Sequence, residues 1–245
     1  MHVGKLLRRL QPVRRPLAGP ATMPADDSYL GKARAAGYGE AAVAAFEERI
    51  RGKSPEWLRE HLTILDRPGP VTFKGRPLAQ FDGTTCGTTS VLVARLLADP
   101  IYALSLTTDD DPEAFGRRLE AEQRRIHRTT NPAWPQRLGT SPWGARRGLA
   151  REVGRRYRLR WVDDTDENDL ADTARAVSAA TGPVPLLVGD LYPAHYLLVV
   201  GRTGTGLCVY DPAGGRLAEI PADPLALGDV TKFRHLHGVL LPISR

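Results

Sequence analysis

Gln80-Phe-Asp-Gly-Thr-Thr-Cys86-Gly-Thr-Thr-Ser90 runs directly into Val91, Leu92, Val93, Ala94, Leu96 and Leu97. The apolar run predicts a buried helix, closed by Asp99-Pro100. Cys86 then stands at the start of that helix. Unpaired N–H groups and the helix dipole favour negative charge there, so a thiol in this position is suited to act as a thiolate nucleophile. Gly87 follows and leaves room for a substrate backbone.

Such a thiol needs a base, and the base needs an orienting partner. His195 opens an apolar run in Tyr192-Pro-Ala-His195-Tyr-Leu-Leu-Val-Val-Gly201, which predicts a strand. Leu207-Cys-Val-Tyr-Asp211-Pro212 predicts the next one, and the short Gly-containing link over 202–206 predicts a hairpin. A hairpin sets the start of one strand beside the end of the next, so His195 and Asp211 are expected as cross-strand neighbours. Asp190 lies near the same loop and is the substitute orienter if the register differs. A developing oxyanion needs donors: the Cys86 N–H can supply one and the Gln80 side-chain amide the other.

In this order, Gln80, Cys86-Gly87 before an apolar helix, His195 opening a strand and Asp211-Pro212 ending its partner resemble the papain-like cysteine peptidases. The branch most similar contains the bacteriocin-processing, double-glycine peptidases. The resemblance covers about 77–242 and implies a Cys86–His195–Asp211 triad with Gln80 in the oxyanion hole. It also implies an α+β fold in which N-terminal helices, the nucleophile helix among them, pack on a C-terminal antiparallel sheet. Peptide hydrolysis is the first functional expectation. Deamidation or acyl transfer by the same thiol, as in an effector, is the alternative, and a catalytically silent peptide-binding relative is a third. A peptide or protein is the expected partner. With no fused transporter read after the domain, the leader-peptide substrate of the bacteriocin exporters is not the expectation here.

Competing readings attach to several residues. Cys208 sits mid-strand among apolar neighbours and reads as core. Asp211 before Pro212 is also a turn former. His61, His127, His235 and His237 have no metal-type spacing, so no zinc site and no cofactor is expected. Gly201, Gly204 and Gly206 lack the strand-to-helix context of a phosphate loop and read as hairpin chemistry. Gly139-Thr-Ser-Pro-Trp143 is a candidate cleft-lining loop.

The 245 residues suit one domain with extensions, and 42% hydrophobic and 25% charged residues are ordinary for a globular chain. Two cysteines exclude a disulfide scaffold and point to a reduced, cytoplasmic compartment, with non-classical secretion open. No stretch approaches the roughly 20 apolar residues of a membrane helix. The net charge is +6, and the segment from Arg117 to Arg160 holds thirteen arginines against Glu120, Glu122 and Glu152. That patch can meet an acidic partner, but no aromatic-interleaved motif accompanies it, so nucleic acid is not the expected ligand.

Around the site, residues 1–24 read as a flexible basic tail and 25–70 as a helical extension of the hydrolase domain at 71–245. Helices are expected over 27–52, from the Ser54-Pro55 cap onward, and over 112–127, 145–157 and 169–181. Strands are expected over 158–162, 184–188, 196–201, 207–210 and 238–243.

Overall fold

A computed structural model describes residues 2–11, 28–108, 110–132, 134–204, 206–222 and 225–243. The chain folds as α+β around a seven-stranded antiparallel sheet. Its strands are β1 (Gly69–Pro70), β4 (Tyr157–Trp161), β5 (Val184–Gly189), β6 (Pro193–Thr203), β7 (Gly206–Asp211), β8 (Arg216–Pro221) and β9 (His235–Pro242). Their spatial order is β1-β8-β7-β6-β5-β9-β4. A small separate hairpin joins β2 (Thr72–Phe73) to β3 (Arg76–Pro77).

The near-continuous apolar runs of β5 and β6 follow from burial on both faces. Tyr196 and Leu198 enter the core shared with the helices, whereas Leu197 and Val199 enter a second core on the opposite face. The first core is built by α5 (Cys86–Ala98), α6 (Pro100–Leu106), α7 (Pro112–Thr130) and α8 (Pro142–Glu152). Ala174 and Val177 of α9 (Glu167–Ser178) line the second. The helix α5 touches both α8 and β6, so its start is held against the sheet. Among the described residues no single helix is long and apolar enough to cross a membrane.

Several boundaries differ from the sequence expectation. The helix expected over 27–52 is two, α2 (Tyr29–Ala35) and α3 (Glu40–Ile50), broken where Gly37 turns to φ 94°. The helix α4 (Pro55–Leu62) starts as expected, with the Ser54 hydroxyl accepting the Trp57 N–H at 3.2 Å. Buried Ala33, Val43, Phe46 and Leu62 join the same core as α5, so α2, α3 and α4 share the hydrophobic interior of the part that carries Cys86. The helix α8 begins at Pro142, behind a Ser141 cap of the same Ser-Pro type as Ser54-Pro55, and ends at Glu152, before the expected 157. The strand β8 had no expected counterpart, and β9 inserts between β5 and β4 instead of following on from β7.

The expected tail needs correction. Residues 3–10 form helix α1 (Val3–Leu10), packed against β4 and β9. The Gly4 N–H donates to His237 Nδ1 at 3.1 Å, and the Val3 N–H to the Leu191 carbonyl at 3.0 Å. A methyl on Gly4 would lie 2.6 Å from the His237 Cα, so only glycine permits this approach. The remainder of the expected tail, 12–24, lies outside the described residues.

Candidate active site

Cys86 is the first residue of α5 and is buried. The approach to it is shaped by Asp82, whose carboxylate accepts both the N–H and the hydroxyl of Thr84 at 2.8 Å. These bonds close a local turn that delivers the chain into the helix. The Thr89 N–H then bonds the Thr85 carbonyl at 2.8 Å, the first full helical turn.

His195 lies three residues into β6, 9% exposed. Its Nε2 stands 2.7 Å from Asp211 Oδ1, at the end of β7. The hairpin brings them together, though not as directly opposed residues. Leu198 pairs with Tyr210, and continuing that register sets Asp211 opposite Leu197. His195 and Asp211 are therefore diagonal neighbours on one face, close enough for side chains to meet. With Nε2 turned to Asp211, Nδ1 is left for the Cys86 thiol. Burial works against the imidazolium, but hydrogen bonds and charges from Asp211 and Cys86 outweigh it and raise His195 to about 9. The alternative orienter, Asp190, instead accepts the Arg234 N–H at 3.3 Å.

Gln80 is carried to the same place by a route invisible in local sequence. Its N–H donates to the Pro212 carbonyl at 2.9 Å, directly after Asp211. The Tyr210 hydroxyl donates to the Leu78 carbonyl, and the Val71 N–H to the Gly215 carbonyl at 2.7 Å. The strip from 71 to 80 is thus laced along the β7–β8 turn. On its other side, fully buried Gln123 of α7 donates to the Ala79 carbonyl at 2.8 Å and accepts the Phe81 N–H at 3.2 Å. The Gln80 side chain donates one N–H of Nε2 to the Asp82 carbonyl at 2.7 Å, which leaves its second N–H to serve as a donor.

The role expected of Gly87 is corrected. A Cβ there would meet Thr140 Cβ at 2.7 Å and the Tyr196 ring at 2.9 Å. Its missing side chain admits these two neighbours and so allows α5 to close on β6. The Tyr196 hydroxyl donates to the Thr140 carbonyl at 3.0 Å and the Thr88 and Thr140 hydroxyls bond at 3.0 Å, which ties the 139–143 loop to both β6 and α5. Exposed Trp143 and Leu138 lie at either end of that loop, and exposed Leu191 and Tyr192 stand just before His195 in the chain. Phe233 packs on the His195 ring, with centroids 5.9 Å apart. Gln123 and Tyr196 were not picked out as site residues in the sequence. A polar Gln on the apolar stripe of an otherwise charged helix was the available signal for the first.

Cys208 is partly buried within β7, and burial raises its thiol above the ordinary value; both cysteines are free. Folding also assembles a group that local spacing concealed. His2, Asp164 and His235 bring possible metal-ligand atoms within 4.8 Å of one another. His2 Nε2 lies 2.8 Å from Asp164 Oδ1, and His235 Nδ1 lies 3.2 Å from the same oxygen.

No protein-family model matches the chain, and no curated protein matches it either. Among solved structures it is similar to a double glycine motif protease from an AMS/PCAT transporter, determined in complex with the leader peptide. That likeness has a TM-score of 0.37 and 14% identity, over 72% of this chain and 100% of the other.

Proposed function

We propose that this chain is a papain-like, cysteine-dependent hydrolase that cleaves peptide bonds. One observation carries the reading: His195 stands between a carboxylate at 2.7 Å and the thiol at the start of a helix, with its charge favoured by both. That is the arrangement of nucleophile, base and orienter that activated cysteines require. Cys86 Sγ attacks the carbonyl carbon, and the imidazolium of His195 gives its proton to the departing amine. Water then attacks the thioester while His195 takes a proton back, which releases the acid and restores the thiol. The free N–H of Gln80 and the Cys86 N–H are the donors for the oxyanion. Exposed Trp143, Leu138, Leu191 and Tyr192 on the flanking segments offer apolar contacts to an extended peptide.

Alkylation by iodoacetamide near pH 6 tests the thiol. Cys86 is expected to react far faster than Cys208, and equal, slow labelling of both would remove the enzymatic reading. Mass spectrometry of a peptide library incubated with the protein then separates the chemistry. Cleaved peptides support hydrolysis; a one-dalton change or an amine adduct would replace it by deamidation or acyl transfer.

A further inference from the structure

The arginine-rich segment divides into two halves in the fold. In its first half several charges are met by acids of the same helix and of α8. Arg124 pairs with Glu120, and Arg125 bonds both Glu122 and the buried Glu152, which also holds Arg95. The second half is different. Arg146 and Arg147 of α8, with Arg156 just before β4 and Arg158 and Arg160 on it, converge with Arg8 of α1 on one cavity of about 610 Å³. The alternation 158, 160 sets two of these on one side of the strand. None of the residues lining the cavity is acidic. Asp169 is shared by Arg8 at 3.0 Å and Arg160 at 2.6 Å.

We infer that this cavity is a binding site for a small anion carrying at least two phosphate groups. Six guanidiniums around one concavity repel one another and concentrate a positive potential, which a multivalent anion relieves. The guanidinium fork matches the oxygens of a phosphate in paired hydrogen bonds. The volume lies in the range of roughly 300–1,000 Å³ usual for small-molecule sites. A nucleic acid strand would instead call for an open track with stacking platforms, and Tyr157 is the cavity's single aromatic residue. Charge on an edge strand also deters sheet-to-sheet aggregation. That explains arginines on β4, but not those contributed by α1 and α8.

The test is titration calorimetry of the full chain with pyrophosphate, with citrate and with a single-stranded DNA oligonucleotide. Arg146 and Arg156 are exposed and outside the Asp169 pair, so the double variant R146E/R156E leaves the internal ion pairs in place. R128E/R137E, reversing two exposed arginines that do not line the cavity, is the charge-matched control. Pyrophosphate is expected to bind one-to-one, with affinity lost roughly 100-fold or more in R146E/R156E and at most about threefold in the control. R146Q/R156Q replaces the reversal if that variant melts early. Absence of saturable binding, equal weakening by the control, or binding of the oligonucleotide alone would each overturn the site. Tighter binding of citrate than of pyrophosphate would overturn its assignment to phosphate.

Discussion

The backbone N–H of Gln80 bonds the carbonyl of Pro212 at 2.9 Å, so the candidate oxyanion donor and the candidate orienter Asp211 are held by one hydrogen bond between distant parts of the chain. The strip bearing Gln80 is clamped to the β7–β8 turn on one side and to α7 on the other. Geometry at Cys86 therefore depends on three elements besides its own helix.

Asp211→Asn tests the pair at its centre. In the folded protein His195 is raised to about 9, against an unfolded value near 6.5. A raised imidazole contributes stability that is fully present below about 6.5 and is lost as pH rises through about 9. NMR titration of the His195 ring should show a midpoint near the upper value, and the Asn variant should move it downward. Peptide turnover should fall by at least about tenfold in that variant, because the imidazole loses its orienter. An unmoved midpoint would show that the carboxylate does not sustain the charge.

Gln123→Leu removes both arms of the clamp around Gln80. Each orphaned backbone group costs about 1–3 kcal/mol if it stays buried, so the variant should melt earlier. Its turnover should decrease more than its KM changes, since Gln80 would act mainly on the oxyanion. Gln123→Glu keeps the acceptor for the Phe81 N–H but loses the donor to Ala79 and buries a carboxyl group, so it should also melt earlier than the parent. Equal kinetics in all three proteins would confine Gln123 to a structural role.

Gly87→Ala asks how closely α5 must approach β6. The added methyl would lie 2.7 Å from Thr140 Cβ and 2.9 Å from the Tyr196 ring. Overpacking of this kind costs about 1–3 kcal/mol. Chemical denaturation should show that loss together with slower alkylation of Cys86. A variant as stable as the parent would mean that helix and sheet are not locked at this point.

Acid should release α1. Burial, followed by the charges of His2 and His235, lowers His237 to about 4, with Asp164 opposing. The Gly4 N–H needs the unprotonated Nδ1 of His237 as acceptor. A depressed imidazole supports docking fully above about 6.5, and that support is lost as pH falls from there toward 4. Limited proteolysis should cut the N-terminal helix readily near pH 5 and poorly near pH 7.5. His237→Asn, whose amide oxygen can accept at any of these pH values, should flatten the difference. Cleavage independent of pH in the parent protein would exclude His237 as the latch.

Local sequence alone picked out the candidate site residues and the elements that bear them. A cysteine leading an apolar run, a histidine opening a strand and an aspartate closing its hairpin partner are short-range patterns, readable because helices and hairpins are periodic. The α+β order was legible for the same reason. Tertiary structure decided everything that depends on residues meeting from afar. It put β9 between β5 and β4, turned Gly87 from substrate space into helix–sheet contact, docked α1 on a buried histidine and gathered arginines from three elements around one cavity. Such contacts are set by packing and by the need to pair buried polar groups. Neither leaves a period in the sequence, so the partners of Gln80, Gly87 and His237 became visible only when the chain was folded.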